Sequence, residues 1–157
     1  MQPDTPVAQY LHQHRIPYRI FVHPGPVRSL EQAARKRAQL PEQVTRSILF
    51  RLSENKFVML LISDPRLVSW KALRRYHGQS RLTMTSDAER LAVTGYRRGA
   101  VEPFGLSSPL RNLVDASLRP QVEVSTGCSV HGTAIILSTS DLLRALPAVE
   151  IADFGEK

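Results

Sequence analysis

Apolar and polar positions along this chain change their spacing repeatedly, and each change marks an element boundary. Val7, Tyr10 and Leu11 share one helical face behind Thr5 as N-cap and Pro6 at the first helical position, which predicts a helix reaching His14. Tyr18 to Val22 alternates with the period of a strand and stops at His23-Pro24-Gly25-Pro26. Ser29-Leu30-Glu31-Gln32 has the spacing of a capping box. It opens a second helix with Leu30, Ala33, Ala34 and Ala38 on one side and basic residues mainly on the other.

The strongest hairpin pattern is Ser47 to Leu52, the polar turn Ser53-Glu54-Asn55-Lys56, then Phe57 to Ile62. The second arm is apolar throughout, as a strand buried on both faces must be. Ser69 to Tyr76 reads as a short helix closed by His77-Gly78, and Ser86-Asp87-Ala88-Glu89 as a capping box whose helix ends at Gly95. Asn112 to Ala116, Gln121 to Ser125 and Thr133 to Leu137 are strand-like, a last helix runs from Asp141 to Leu146, and Val149 to Ala152 follows. Hairpins mixed with helices predict an α+β fold, a mixed and mainly antiparallel sheet flanked by helices, in one domain over 1–157.

Composition narrows the class. The 157 residues are 42% hydrophobic and 22% charged, enough for one sizeable core. No apolar run approaches the roughly 18 to 20 residues that span a bilayer, so a cytoplasmic protein without membrane contact is expected. Cys128 stands alone and permits no internal disulfide; it reads as a small packing residue or as a nucleophile. Charge is uneven: residues 1–100 hold 17 of the 21 Lys and Arg but 7 of the 14 acids, a net +10, and the remainder nets −3. Arg35-Lys36-Arg37, Arg74-Arg75 and Arg97-Arg98 suit a polyanion such as RNA, although solvated helix faces account for the same clusters.

Chemistry is best sought in Gly95-Tyr96-Arg97-Arg98-Gly99-Ala100-Val101-Glu102-Pro103-Phe104-Gly105-Leu106. Glycines let the backbone approach a ligand, Pro103 fixes its own φ, and successive amides in such a turn converge on a carbonyl or phosphate oxygen. The same segment also serves as an ordinary connector. Phosphate-loop, zinc-spaced and G-x-S-x-G patterns are absent from the sequence. His12 and His14 point apart on a helix, whereas His23 at a strand end and His131 before the last apolar strand are candidates for a cleft.

Several landmarks in order resemble the YbaK/EbsC family, which includes free-standing relatives of the editing domain of bacterial prolyl-tRNA synthetases. They are Tyr18 to His23; Pro41-Glu42-Gln43-Val44-Thr45-Arg46-Ser47-Ile48-Leu49-Phe50; Thr94-Gly95 through Pro103-Phe104-Gly105; Leu113 to Leu118; and Gly127-Cys128-Ser129 followed by Ala134 to Leu137 and Asp141-Leu142-Leu143. The resemblance implies a deacylase that hydrolyses the ester joining a wrong amino acid to tRNA, with no metal or organic cofactor. Its partners are the tRNA acceptor end and, by the same analogy, an aminoacyl-tRNA synthetase. Gly99 to Pro103 would line the cleft with backbone amides near the scissile carbonyl, each well-placed donor giving about 3 to 4 kcal/mol as in other hydrolases. Arg46, Gly99 and Pro103 then take the catalytic positions, while His23, Ser47, Val101, Phe104, Gly105, Asp115, Gly127 and His131 shape the substrate site.

Relatives usually carry lysine where this chain has Arg46, and a guanidinium is larger, planar and permanently charged. Three readings follow: a trans-editing deacylase; a module of the same fold that binds tRNA, an aminoacyl ligand or a protein with weakened or lost catalysis; and a Cys128/His131 hydrolase.

Overall fold

The computed structural model describes residues 6–26, 28–94, 110–127, 132–146 and 148–156. In chain order the elements are α1 (Pro6–Gln13), β1 (Arg19–Val22), α2 (Leu30–Lys36), β2 (Thr45–Ser53), β3 (Lys56–Ser63), α3 (Trp70–His77), β4 (Thr83–Met84), α4 (Asp87–Thr94), β5 (Arg111–Asp115), β6 (Glu123–Gly127), β7 (Thr133–Ser138), α5 (Thr139–Ala145) and β8 (Glu150–Ala152). The fold is α+β, but the strands divide between two sheets rather than one. A three-stranded antiparallel sheet has the order β1-β7-β6, and a five-stranded mixed sheet the order β4-β2-β3-β5-β8. The parallel pairs are β3 with β5 and β5 with β8.

Local chemistry sets most boundaries. Ser86 and Glu89 make a reciprocal capping box at α4: the Ser86 hydroxyl accepts from the Glu89 amide at 3.1 Å, and the Glu89 carboxylate from the Ser86 amide at 3.0 Å. Ser29 caps α2 through the Gln32 amide at 3.0 Å, yet the Gln32 side chain reaches the Arg28 amide, one residue short of a full box. α2 stops at Lys36, and Ala38 has left the helix with φ 56°, so it does not extend the apolar face as expected. α5 begins at Thr139, two residues before the expected start, because the Ser138 hydroxyl accepts from the Asp141 amide at 3.0 Å. The hairpin turn is tighter than the sequence suggested, Glu54-Asn55 alone, with Asn55 at φ 61°.

The uniform apolarity of β3 is explained by two cores. Leu61 packs with Val114, Val124, Ile135 and Leu142 in one, with Val7 and Leu11 of α1. Val58, Leu60 and Ile62 belong to the other, with Phe50, Leu113, Leu73 of α3 and Phe154. Each such side chain contributes about 1.5–3 kcal/mol through burial. The five-stranded sheet is thereby held on both faces, and β2 passes its polar first residues along the seam between the sheets.

Candidate active site

That seam begins where β2 follows the turn at Pro41–Gln43. Val44 forms a bridge with Ser125 of β6, and the Thr45 hydroxyl donates to the Ser125 carbonyl at 2.9 Å. Gln43 donates from its side chain to the Glu123 carbonyl at 2.9 Å, and Gln39 to the Glu123 carboxylate at 3.1 Å. These contacts fix the start of β2 against β6 and so position Arg46 and Ser47.

His23 lies at the end of β1, 8% exposed, with its amide donating to the Gly132 carbonyl at 2.8 Å. Arg37, just past α2, donates from Nε to His23 Nε2 at 3.2 Å and from Nη1 to the Ser125 hydroxyl at 2.8 Å. A guanidinium can only donate, so His23 Nε2 is the acceptor and its proton sits on Nδ1. That buried Nδ1–H has no hydrogen-bond partner among the described residues. Burial first, then the charges of Arg37 and Lys36, hold the His23 pKa below its ordinary value and keep the ring neutral. His23 is therefore a neutral ring whose orientation Arg37 fixes.

Arg46 is on the other face of β2. It pairs with Ile62 and Ser47 with Leu61, and neighbouring strand residues point to opposite faces, so the two face opposite ways. The Arg46 side chain, 37% exposed, donates from Nη2 to the Arg66 carbonyl at 2.8 Å. Its Nε lies 3.8 Å from Asp64 and, among the described residues, makes no hydrogen bond. The guanidinium is thus a held cation on a partly exposed side chain. The Ser47 hydroxyl is likewise buried without a partner among the described residues.

Asp115 has a different job from the one expected. It is fully buried, and protein groups occupy both of its oxygens. Arg66 Nη1 donates to Oδ2 at 2.7 Å, the Ser117 amide at 3.2 Å and the Ser117 hydroxyl also bind Oδ2, and the Phe154 amide donates to Oδ1 at 2.7 Å. Arg66 also reaches Asp153 at 2.8 Å, so Asp115 anchors the C-terminal segment rather than a substrate. Gly127 closes β6 opposite Ala134, two positions beyond Ser125 and hence on the same strand face. Gly99, Val101, Pro103, Phe104, Gly105, Cys128 and His131 lie outside the described residues.

Arg37, Ser125 and Arg66 were not singled out by sequence. Arg37 stood in a basic run that reads as surface, and no local pattern shows that the turn after α2 aims it inward. Among the described residues no group of three His, Cys, Asp or Glu is placed to hold a metal ion, and no helix is long and apolar enough to cross a membrane.

Solved structures share this fold at low identity. One is a candidate trans-editing enzyme for prolyl tRNA synthetase, 23% identical, covering 97% of this chain and 96% of its own, with a TM-score of 0.84. Another comes from work on computational grafting of linear epitopes onto scaffold proteins, with 22% identity, 97% and 96% coverage and a TM-score of 0.86. A third, the hypothetical protein APE2540, is 19% identical over 96% of this chain and 99% of its own, with a TM-score of 0.83. No curated protein sequence matches. The sequence model of the aminoacyl-tRNA editing domain matches residues 24–145, from the segment after His23 through α5. With most of its length covered by that match, the chain belongs to the aminoacyl-tRNA editing domain family.

Proposed function

We propose that this protein is a trans-acting deacylase that hydrolyses mischarged aminoacyl-tRNA. The observation that carries the reading is the editing-domain match over residues 24–145, on a fold shared with a candidate trans-editing enzyme. In the reaction water adds to the ester carbonyl carbon, the bond to the ribose oxygen breaks, and that oxygen takes up a proton, giving free amino acid and uncharged tRNA. Arg46 is assigned to hold the carbonyl or the terminal phosphate through its partly exposed side chain. His23 is assigned to shape the substrate site as a neutral ring held by Arg37. Gly99 to Gly105 keep the amide-cradle role that the resemblance gives them. The excess of basic residues in 1–100 supports affinity for the RNA backbone.

One observation favours a second reading, a module that binds without turnover. Arg46 is tied to the Arg66 carbonyl and lies beside Asp64, which restrains the guanidinium. Amino-acid release from a panel of mischarged tRNAs by wild type, Arg46→Lys and Gly99→Ala separates the two. Selective release that Gly99→Ala abolishes supports the deacylase. Tight tRNA binding with no release by wild type, and release gained by Arg46→Lys, supports the binding module and refutes the proposed activity.

A further inference from the structure

The turn after β3 places a second charge beside Arg46. Ile62 pairs with Arg46, so Asp64, two residues further on, is the diagonal neighbour of Arg46 on the same face. Its backbone is tied down on both sides. The Asp64 amide donates to the Val44 carbonyl at 2.7 Å, the Ser63 hydroxyl to the Glu42 carbonyl at 2.9 Å, and the Arg66 amide to the Ser63 carbonyl at 3.0 Å. The side chains of Arg46 and Asp64 rise from this corner, and each is 37% exposed.

Little else holds the Asp64 carboxylate. Among the described residues it accepts no hydrogen bond, and its one charged partner is Arg46 Nε at 3.8 Å, beyond hydrogen-bond length. By contrast Glu123 and Asp141 each accept from an arginine, at 2.8 and 2.7 Å. Arg66, the next cation along the chain, spends its guanidinium on Asp115 and Asp153 instead. An exposed pair without a hydrogen bond contributes little to stability, so a ligand can take up both charges at small cost.

The separation of the two charges selects the ligand. Arg46 is assigned the ester carbonyl, and in an aminoacyl ester the α-nitrogen is three bonds from that oxygen, about 3 Å away. At neutral pH an α-amino group is largely a cation. The substrate therefore presents an electron-rich oxygen and an ammonium side by side. A guanidinium and a free carboxylate 3.8 Å apart offer the complementary order of charge.

We propose that Asp64 is the subsite for the α-ammonium of the aminoacyl group, with Arg46 on the adjoining carbonyl. The inference rests on the editing reading and deepens it. It makes the free α-amine a condition of recognition, so that acyl groups without one, such as hydroxyacyl or peptidyl groups, are discriminated against.

The test is competition binding at about pH 6.5, below the ordinary α-amino pKa. The ligands are tRNAs ending in 3′-amino-3′-deoxyadenosine, whose amide link resists hydrolysis, acylated with alanine, cysteine, serine or proline. Each is compared with its counterpart carrying oxygen in place of the α-nitrogen, lactyl for alanyl. Full-length wild type and Asp64→Asn are measured side by side, and thermal melts check that both are folded. For the preferred amino acid, wild type should bind the amine form about tenfold tighter than the oxygen form, and Asp64→Asn should bring that ratio to about one. An equal ratio in both proteins overturns the proposal, even if Asp64→Asn weakens both ligands, because Asp64 then acts only through Arg46. Equal binding of the two forms by wild type overturns it as well. Release of the corresponding esters is followed in parallel. Ester release without amine preference refutes the subsite and leaves the deacylase standing, whereas amine preference without release supports the subsite and refutes the deacylase. If wild type binds none of these tRNAs, both fail.

Discussion

Replacing Asp115 tests whether the structure has rightly moved this residue out of the substrate site. Its carboxylate is fully buried and receives Arg66, the Ser117 amide and hydroxyl, and the Phe154 amide. Asp115→Ala removes all of these acceptors, and breaking a buried pair from one side costs about 3–5 kcal/mol. Arg66 keeps some solvent access and its second partner Asp153, so the lower end applies, about 3 kcal/mol. For a chain of 157 residues that lowers Tm by about 6–12 °C. Asp115→Asn keeps the shape but turns an NH2 toward a donor on one side or the other, costing about 1–3 kcal/mol. Urea and thermal denaturation read both effects, and deacylation below the melting range should persist. The reasoning is refuted if Asp115→Asn melts with wild type yet no longer hydrolyses or binds aminoacyl-tRNA, since Asp115 would then be a substrate ligand.

Other predictions follow from the same contacts. Gly155→Ala puts a Cβ into the Arg66 side chain, which is pinned by Asp115 and Asp153 and cannot swing away freely; urea denaturation should show a loss of about 1–3 kcal/mol. The depressed Glu150 pKa stabilises the fold above the ordinary value of 4.5, and this contribution is lost as pH falls from there through about 2. Glu150→Gln should therefore be less stable than wild type at neutral pH, with the gap closing across that window in pH-dependent unfolding. His23, held neutral, contributes fully above its ordinary value of 6.5, and that contribution is lost as pH falls from there through its lowered pKa. Arg37→Met should bring its NMR titration closer to the ordinary value while burial keeps it below.

The sequence made some levels of this structure plain and hid others. Helix starts at Ser29, Ser69 and Ser86 and the β2–β3 hairpin were legible because local hydrogen bonds and side-chain alternation determine them. The two residues of β4 were not, since so short a segment has no period, and it exists only because Phe50 and Arg51 pair with it. Division into two sheets was also hidden: β3 buried on both faces reads the same whichever partners cover it. At the site, His23 stood out as a cleft candidate by its place at a strand end, and Arg46 came only from the family resemblance, while the surroundings of both were hidden. Whether Arg37 faces water or His23, and whether Asp115 faces a cleft or Arg66, depends on contacts between residues far apart in the chain. Asp115 and Arg66, 49 positions apart, have no common local signature.

The most direct measurement of the central claim is ester hydrolysis under single turnover, with purified protein in excess over tRNA carrying a labelled noncognate amino acid, for wild type and Arg46→Ala side by side. The account predicts first-order release of the label by wild type, well above the spontaneous rate, and a drop of about 100-fold or more in Arg46→Ala with the fold intact. Release at the spontaneous rate by wild type across alanyl, cysteinyl, seryl and prolyl esters would contradict the deacylase assignment. Equal release by both proteins would contradict the role given to Arg46.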